Sequence, residues 1–124
     1  MTKTLILVGL GGGIGSMLRY LTSVVVNKYF QALFPLATFT VNIVGCLIIG
    51  LLLGFFERQQ LLNSDLKFLF VTGFCGGFTT FSAFSSETVT LFQSGNLLTA
   101  FFYVAASVVV CVLAVWLGIV LTKL

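Results

Sequence analysis

Histidine is absent from the 124 residues of this chain. It is the side chain most often used as a general acid or base, and it is the commonest metal ligand. The chain also has no nucleophile paired with a base and no cofactor motif, so the sequence gives no support to an enzyme. The glycine-rich stretch from Gly9 to Ser16 departs from the G-x-G-x-x-G register, and no Gly-Lys-Ser/Thr occurs, so nucleotide binding has no support either.

Charged side chains are also scarce. They make up 7% of the residues, whereas soluble domains carry about a quarter. Apolar residues reach 59%, and the mean hydropathy is +1.19. The six basic residues are scattered along the chain, unlike the basic clusters that bind nucleic-acid phosphates. We therefore predict an integral membrane protein whose residues 1–124 form a single transmembrane domain, with no nucleic-acid partner.

Cysteine is present three times, as Cys46, Cys75 and Cys111. An odd number without C-x-x-C spacing favours neither a disulfide framework nor a zinc site. All three lie in apolar runs, where free thiols usually pack as small hydrophobic side chains.

Long uncharged stretches separate the few charges, and a membrane-spanning helix needs about 20 such residues. The single proline, Pro35, is well placed to open a helix, and residues 93–96 form a turn cluster. The apolar runs do not alternate as the strands of a membrane barrel would. Lys3 and the apolar run after it look faintly like a signal peptide, but no cleavage site follows, so we expect a retained first helix. The prediction is an all-α fold with four transmembrane helices, near 4–27, 35–56, 66–92 and 98–121.

Small residues recur at the spacing by which membrane helices pack together. In the second span they form the motif Gly50-x-x-x-Gly54. In the first span we expect one packing face made by Gly9, Gly12, Gly13 and Ser16. A four-helix subunit this small buries few such surfaces, so an oligomer is expected.

Two strongly polar side chains fall inside predicted spans. A charge such as that of Arg19 costs at least about 2.5–3.5 kcal/mol at the centre of a membrane helix. Arg19 therefore either reaches the headgroups or faces a polar vestibule as a functional cation. Asn42 either links helices by hydrogen bonds or donates its amide NH₂ to an anion.

The third span contains the most unusual segment, residues 73–87. It combines glycines with hydroxyl side chains: Gly73, Gly76, Gly77, Thr79, Thr80, Ser82 and Ser85. Glycine weakens a helix, and hydroxyls offer hydrogen bonds to freed backbone groups. A helix broken in mid-membrane is tolerated only where protein or a water-filled cavity lines it, and its peptide groups can then bind ions. We predict that the third helix is broken here.

Aromatic rings follow this predicted break. Phe81 and Phe84 are three residues apart and share a helix face with Ser85. Simple packing is the alternative, but ring edges carry partial positive charge. A small anion would then pass along the edges without meeting a fixed cation that traps it.

Other polar groups extend the pattern towards the end of the chain. Glu87 lies within the third span or at its edge, where we expect it to be neutralised or hydrogen-bonded. Tyr103, Ser107 and Cys111 recur every four residues and give the fourth span a mildly polar stripe. Hydrogen bonding between helices is the alternative explanation for this stripe.

At these residues the sequence resembles the CrcB/Fluc fluoride channel family over its whole length. The likeness rests on the glycine-rich first span ending in Arg19, on Asn42, and above all on Gly73-x-Cys-Gly-Gly-Phe-Thr-Thr-Phe-Ser-x-Phe-Ser-x-Glu87. It implies a passive channel that exports cytoplasmic fluoride across the inner (plasma) membrane. It also implies an antiparallel, dual-topology homodimer with a structural sodium ion at the subunit interface.

The resemblance also assigns site residues. The sodium would be held by the main-chain oxygens of Gly76 and Thr79. The fluoride pathway would include Arg19, Asn42, Thr80, Phe81, Ser82, Phe84, Ser85, Glu87, Tyr103 and Ser107. Cys111 departs from the family, in which related chains often carry a hydroxyl. A thiol is a weaker donor, so no ion contact is assigned to it.

The distribution of basic residues favours one orientation. With four spans, Lys3, Arg58, Lys67 and Lys123 share a side, and the positive-inside rule puts that side in the cytoplasm. Dual insertion would be expected from a weaker bias, so a paired, oppositely oriented paralogue is an alternative to the homodimer.

Two other functions compete with the channel. One is a proton-coupled exporter of the small multidrug-resistance type, for which Glu87 is the one candidate carboxylate. The other is a non-transporting membrane scaffold.

Overall fold

A computed structural model describes all 124 residues, and its regular structure is entirely helical. The elements in chain order are α1 (Thr2–Tyr29), α2 (Leu36–Arg58), the short α3 (Asp65–Lys67), the π-helix π1 (Phe68–Cys75), the short α4 (Gly76–Phe78), α5 (Phe81–Gln93) and α6 (Leu97–Leu121). The third to sixth of these follow one another closely and form a single long segment.

Four helical segments are long and apolar enough to cross a membrane: Thr2–Tyr29, Leu36–Arg58, Asp65–Gln93 and Leu97–Leu121. At 1.5 Å per residue, α2 alone measures about 35 Å, against a hydrocarbon core of about 30 Å. The prediction of an all-helical chain with four candidate spans is confirmed. Each helix end lies within two residues of the predicted boundary.

The turns follow from local chemistry. Pro35 immediately precedes α2, as expected of a residue whose missing N–H costs nothing at a helix start. Gly95 has a φ of +82°, a left-handed conformation that glycine adopts without strain. It reverses the chain between α5 and α6, with the Asn96 N–H donating to the Leu91 carbonyl over 2.9 Å.

Glycines on α1 allow its backbone to touch the third segment. A Cβ atom on Gly15 would collide with the Phe74 carbonyl, and one on Gly77 would collide with the Gly12 backbone. Two members of the predicted face, Gly9 and Gly13, have nothing within 4 Å in the isolated subunit, so this contact does not use them. Residues 9–15 contain five glycines, so several faces of α1 could pack against a neighbouring helix. The contact with the third segment uses one of these faces.

Glycines also join α2 to α6. A Cβ on Gly50 would collide with the Val115 carbonyl, and one on Gly118 would lie 2.7 Å from the Leu47 carbonyl oxygen. Gly54 meets the Thr122 side chain. The expected packing role of Gly50-x-x-x-Gly54 is thus confirmed. The subunit therefore consists of two tightly packed pairs, α1 with π1 and α4, and α2 with α6; α5 lies mainly on α6.

Between the pairs, helical backbone ends at Phe78 and resumes at Phe81. Thr79 has φ −81° and ψ 158°, and Thr80 has φ −148° and ψ 118°, so both residues are extended. Gly73, Gly76 and Gly77 remain helical. The interruption thus lies at the threonines, and two of the three glycines serve close contact with α1 instead.

We expect Gly15→Ala to destabilise the subunit by about 1–3 kcal/mol, because the new methyl group forces α1 away from the third segment. Gly13→Ala is the matched control: it has open space around it, and alanine favours a helix by about 1 kcal/mol over glycine. Unfolding in mixed micelles with increasing denaturing detergent, followed by circular dichroism, measures both variants. Equal stability of the two would contradict the packing register.

Candidate functional site

The extended dipeptide Thr79–Thr80 is held by the side chain of Asn42 on α2. The Asn42 Nδ2 donates to the Thr80 carbonyl oxygen over 3.1 Å, and the Thr80 N–H donates to the Asn42 Oδ1 over 2.8 Å. A single amide thus replaces both hydrogen bonds that the Thr80 peptide group would make within a helix. Of the two roles that the sequence left open, the structure shows Asn42 as a link between helices.

On the other side of the interruption, Arg19 of α1 binds the Gly77 carbonyl. Its Nε donates over 3.0 Å, and the Ser16 hydroxyl lies 3.5 Å from the same oxygen. In a continuous α-helix this carbonyl would accept from Phe81. A cation is also favourable at the C-terminal end of a helical segment, where carbonyls are unpaired. The Arg19 side chain therefore points to the interruption.

The interruption releases the Gly76 carbonyl. Its partner in an α-helix would be the Thr80 N–H, which instead donates to Asn42. The Thr79 N–H and hydroxyl both donate to the Cys75 carbonyl, over 3.0 and 2.8 Å. Gly76 and Thr79 both line the same cavity. No group of three acidic, cysteine or histidine side chains is arranged to hold a metal ion. The main-chain oxygens beside the cavity could hold a cation.

The N-terminus of α5 begins immediately after the interruption. The Thr80 hydroxyl accepts from the Ala83 N–H over 3.2 Å and lies 3.2 Å from the Ser82 hydroxyl. Thr80 therefore caps the helix. Helix N-termini carry partial positive charge on their unpaired N–H groups, which favours anions.

Two phenylalanine rings lie on α5 beyond this cap. Phe81 and Phe84 have ring centroids 5.6 Å apart at 45°. Phe84 also lies 5.0 Å from the Tyr103 ring. Phe84 is partly buried, whereas Phe81 is 78% exposed in the isolated subunit.

Glu87, one turn beyond Phe84 on α5, has two hydrogen-bond donors. The Thr38 hydroxyl donates to its Oε2 over 3.0 Å, and the Tyr103 hydroxyl donates to its Oε1 over 3.2 Å. Glu87 was expected to be neutralised or hydrogen-bonded, and the structure gives it two hydrogen-bond donors. Thr38 was missed from the sequence, although it lies four residues before Asn42 and hence on the same face of α2.

An apolar cavity of about 610 Å³ lies between α2, α6 and the interrupted segment. The predicted pathway residues that line it are Asn42, Thr80, Phe81, Phe84 and Ser107, and those that do not are Arg19, Ser82, Ser85, Glu87 and Tyr103. The Ser107 hydroxyl is buried and has no hydrogen-bond partner in the protein. Such groups are rare and often mark a place where water or an ion binds. No charged side chain lines the cavity.

Comparison with known proteins identifies similar chains over nearly the whole length. The model of a family described as CrcB-like protein, Camphor Resistance (CrcB), matches residues 6–119. A protein of Flavobacterium psychrophilum named fluoride-specific ion channel FluC is 52% identical over 121 residues, which cover 98% of both chains. A protein of the same name from Azobacteroides pseudotrichonymphae is 45% identical over 123 residues, which cover 99% of this chain and 98% of that protein. Another from Campylobacter jejuni is 42% identical over 123 residues, which cover 99% of this chain and 100% of that protein.

We expect Asn42→Ala to expose the Thr80 peptide group, because it removes both of its hydrogen bonds. Each bond is worth about 1 kcal/mol, and about 1.4 kcal/mol corresponds to tenfold. Hydrogen exchange at the Thr80 amide should therefore accelerate by roughly tenfold or more. Asn96→Ala, which removes only an exposed contact to Ser94, should leave that rate unchanged. A Thr80 amide that is equally protected in both variants would refute the clamp.

Proposed function

The chain belongs to the CrcB family, and from this membership we propose that it is a passive, fluoride-selective ion channel that exports fluoride from the cytoplasm. It is a multi-pass membrane protein, and we place it in the inner (plasma) membrane. Transport, rather than catalysis, is its role. The observation that supports this most is a cavity without charged side chains, in which a buried Ser107 hydroxyl lacks a partner beside an interrupted helix.

A small anion needs several donors to replace its hydration shell, yet must not be bound too tightly to leave. The cavity is lined by Ser107, whose buried hydroxyl has no partner, and by Phe81 and Phe84, whose ring edges are partially positive. The nearest fixed charges are occupied elsewhere: Arg19 donates to Gly77, and Glu87 accepts from two hydroxyls. We infer that fluoride passes between neutral donors. In this proposal the interruption at Thr79–Thr80 lies within the bilayer.

Arg19, Ser82, Ser85, Glu87 and Tyr103 do not line the cavity, so their place on the pathway is a proposal of its own. The Tyr103 ring packs against Phe84, and its hydroxyl binds Glu87. This chain of contacts extends from the cavity towards Thr38. If the Glu87 carboxylate moved away, the Thr38 and Tyr103 hydroxyls would give fluoride a second set of donors.

We propose that the working unit is an antiparallel, dual-topology homodimer. In one subunit alone, Phe81 faces outward with 78% of its surface exposed beside the cavity. A second copy would cover this ring. The bias of basic residues towards one end remains: Lys3, which pairs with Asp65 over 2.8 Å, lies at the same end as Arg58, which binds the Thr122 carbonyl. A paralogous partner inserted in the opposite direction is therefore the alternative to a second identical chain.

A structural sodium ion fits the main-chain oxygens at the interruption. The Gly76 carbonyl has lost its helical donor to Asn42, and Gly76 itself is exposed at the cavity. Gly76 and Thr79 would provide two hard oxygen ligands, which suit an alkali cation. The partner subunit would provide the others. The ion would join the two interrupted segments and take no part in conduction.

Two other functions fit less well. A proton-coupled exporter of the small multidrug-resistance type needs an accessible carboxylate deep in the bundle. Glu87 is the one candidate, and both of its oxygens already accept hydrogen bonds outside the cavity. A non-transporting scaffold would leave the unpartnered Ser107 hydroxyl without a purpose.

We expect liposomes that contain the purified protein to release fluoride and retain chloride. The efflux should need no pH gradient, because no proton is coupled to it. A fluoride electrode and a chloride electrode, with valinomycin to balance charge in potassium-loaded vesicles, measure both ions in parallel. Equal release of the two ions would overturn selectivity, and dependence on a proton gradient would favour the exporter.

We expect Phe84→Ile to reduce fluoride efflux by about fivefold or more, since the substitution removes a ring edge whose interactions are worth about 1 kcal/mol. Phe81→Ile should act in the same direction. Phe92→Ile, on the same helix but away from the cavity, is the control and should conduct normally. If all three variants stay dimeric and conduct alike, the ring edges do not carry the ion.

A further inference from the structure

The three cysteines lie far apart in the sequence but line one cavity in the structure. Cys46 is on α2, Cys111 is on α6, and Cys75 ends π1. All three are free thiols. Sequence spacing gave no reason to group them, and no part of the proposed fluoride pathway uses them.

The register between α2 and α6 brings two of these thiols to one level. Gly50 lies against Val115, and Gly54 lies against Thr122, so the two helices run in the same direction with closely packed backbones. One turn before Gly50 is Cys46, and one turn before Val115 is Cys111. The register therefore places Cys46 and Cys111 at the same level of the two packed helices, and both line the cavity.

The ligand set restricts which metal ions this pair can bind. Zinc and similar ions require four ligands in a structural site, and no group of three suitable side chains exists in the chain. Two thiols suffice only for a soft d¹⁰ ion that accepts linear coordination, and thiolates select soft ions. Hg²⁺ is the divalent ion of this kind.

Charge balance also favours a divalent ion. When Hg²⁺ binds, two S–H bonds break and two Hg–S bonds form, two protons leave to water, and no electron is transferred. The product, RS–Hg–SR, is neutral. A neutral product suits a cavity that has no charged side chain, where an isolated charge would be costly.

We propose that Cys46 and Cys111 form a two-thiolate site for a soft divalent cation of the Hg²⁺ type, and that an ion bound there obstructs the cavity. Ser107 lies one turn from Cys111 on α6, and both line the cavity with Phe84. The bound metal would occupy space next to the unpartnered hydroxyl. Binding is independent of the proposed function, whereas obstruction of fluoride efflux rests on it.

The first test counts free thiols in the full-length protein. One equivalent of Hg²⁺ per chain, followed by denaturation and a chromogenic thiol reagent, should reduce the three thiols to one. Cys75→Ser should retain none, because the pair is intact. Cys46→Ser and Cys111→Ser should each retain one. The proposal is wrong if either of these two variants loses both remaining thiols, or if Hg²⁺ cross-links two chains on a denaturing gel.

The second test measures fluoride efflux for each variant with and without Hg²⁺, each normalised to itself. Loss of one thiol removes an intramolecular second ligand, so the half-blocking Hg²⁺ concentration should rise by about a hundredfold in Cys46→Ser and Cys111→Ser. Cys75→Ser should block like the unmodified chain, and Cd²⁺ should not block at all. An unaltered efflux despite the expected thiol count would refute obstruction alone. Absence of fluoride efflux before any metal is added would instead refute the channel.

Discussion

The structure depends on the pair of hydrogen bonds between the Asn42 amide and the Thr80 peptide group. Two extended residues within an apolar helical segment leave backbone groups without partners, and in a low-dielectric surrounding each such group costs several kcal/mol. Asn42 satisfies one N–H and one carbonyl at once. Without it, the shortest remedy would be to close the helix through residues 79 and 80. The amide therefore maintains the irregular backbone on which the cavity is built.

Both charged side chains near the cavity are hydrogen-bonded within the protein. Arg19 donates to the Gly77 carbonyl, where the end of a helical segment carries partial negative charge. Glu87 accepts from Thr38 and Tyr103. Neither side chain lines the cavity. The interior thus keeps donors of moderate strength while the strong electrostatic groups hold the surrounding helices, which is the arrangement expected where an ion must enter and also leave.

Much of the fold follows from the sequence because few charges and one proline delimit long apolar runs, and these fix the four helices. The sequence predicts a break from glycines and hydroxyls together; the two extended residues, Thr79 and Thr80, are among the hydroxyls, and the glycines stay helical. Helix propensity cannot tell a glycine that loosens a helix from one that admits a neighbouring backbone, and Gly73 and Gly77 do the latter. Thr38 and the thiol pair escaped notice for a related reason. Their roles depend on which helix faces which, and that is set by contacts between distant residues.

The two ends of the interruption are attached to different halves of the subunit. Gly77 is tied to α1 through Arg19, and Thr80 is tied to α2 through Asn42. Within each half, glycine contacts lock the backbones together, so neither half can deform easily. Thr79 joins them; its side-chain methyl packs on α2 where Gly45 leaves room for it. Any sliding of one rigid half past the other would therefore have to change the backbone at Thr79 and, with it, the width of the cavity at that point.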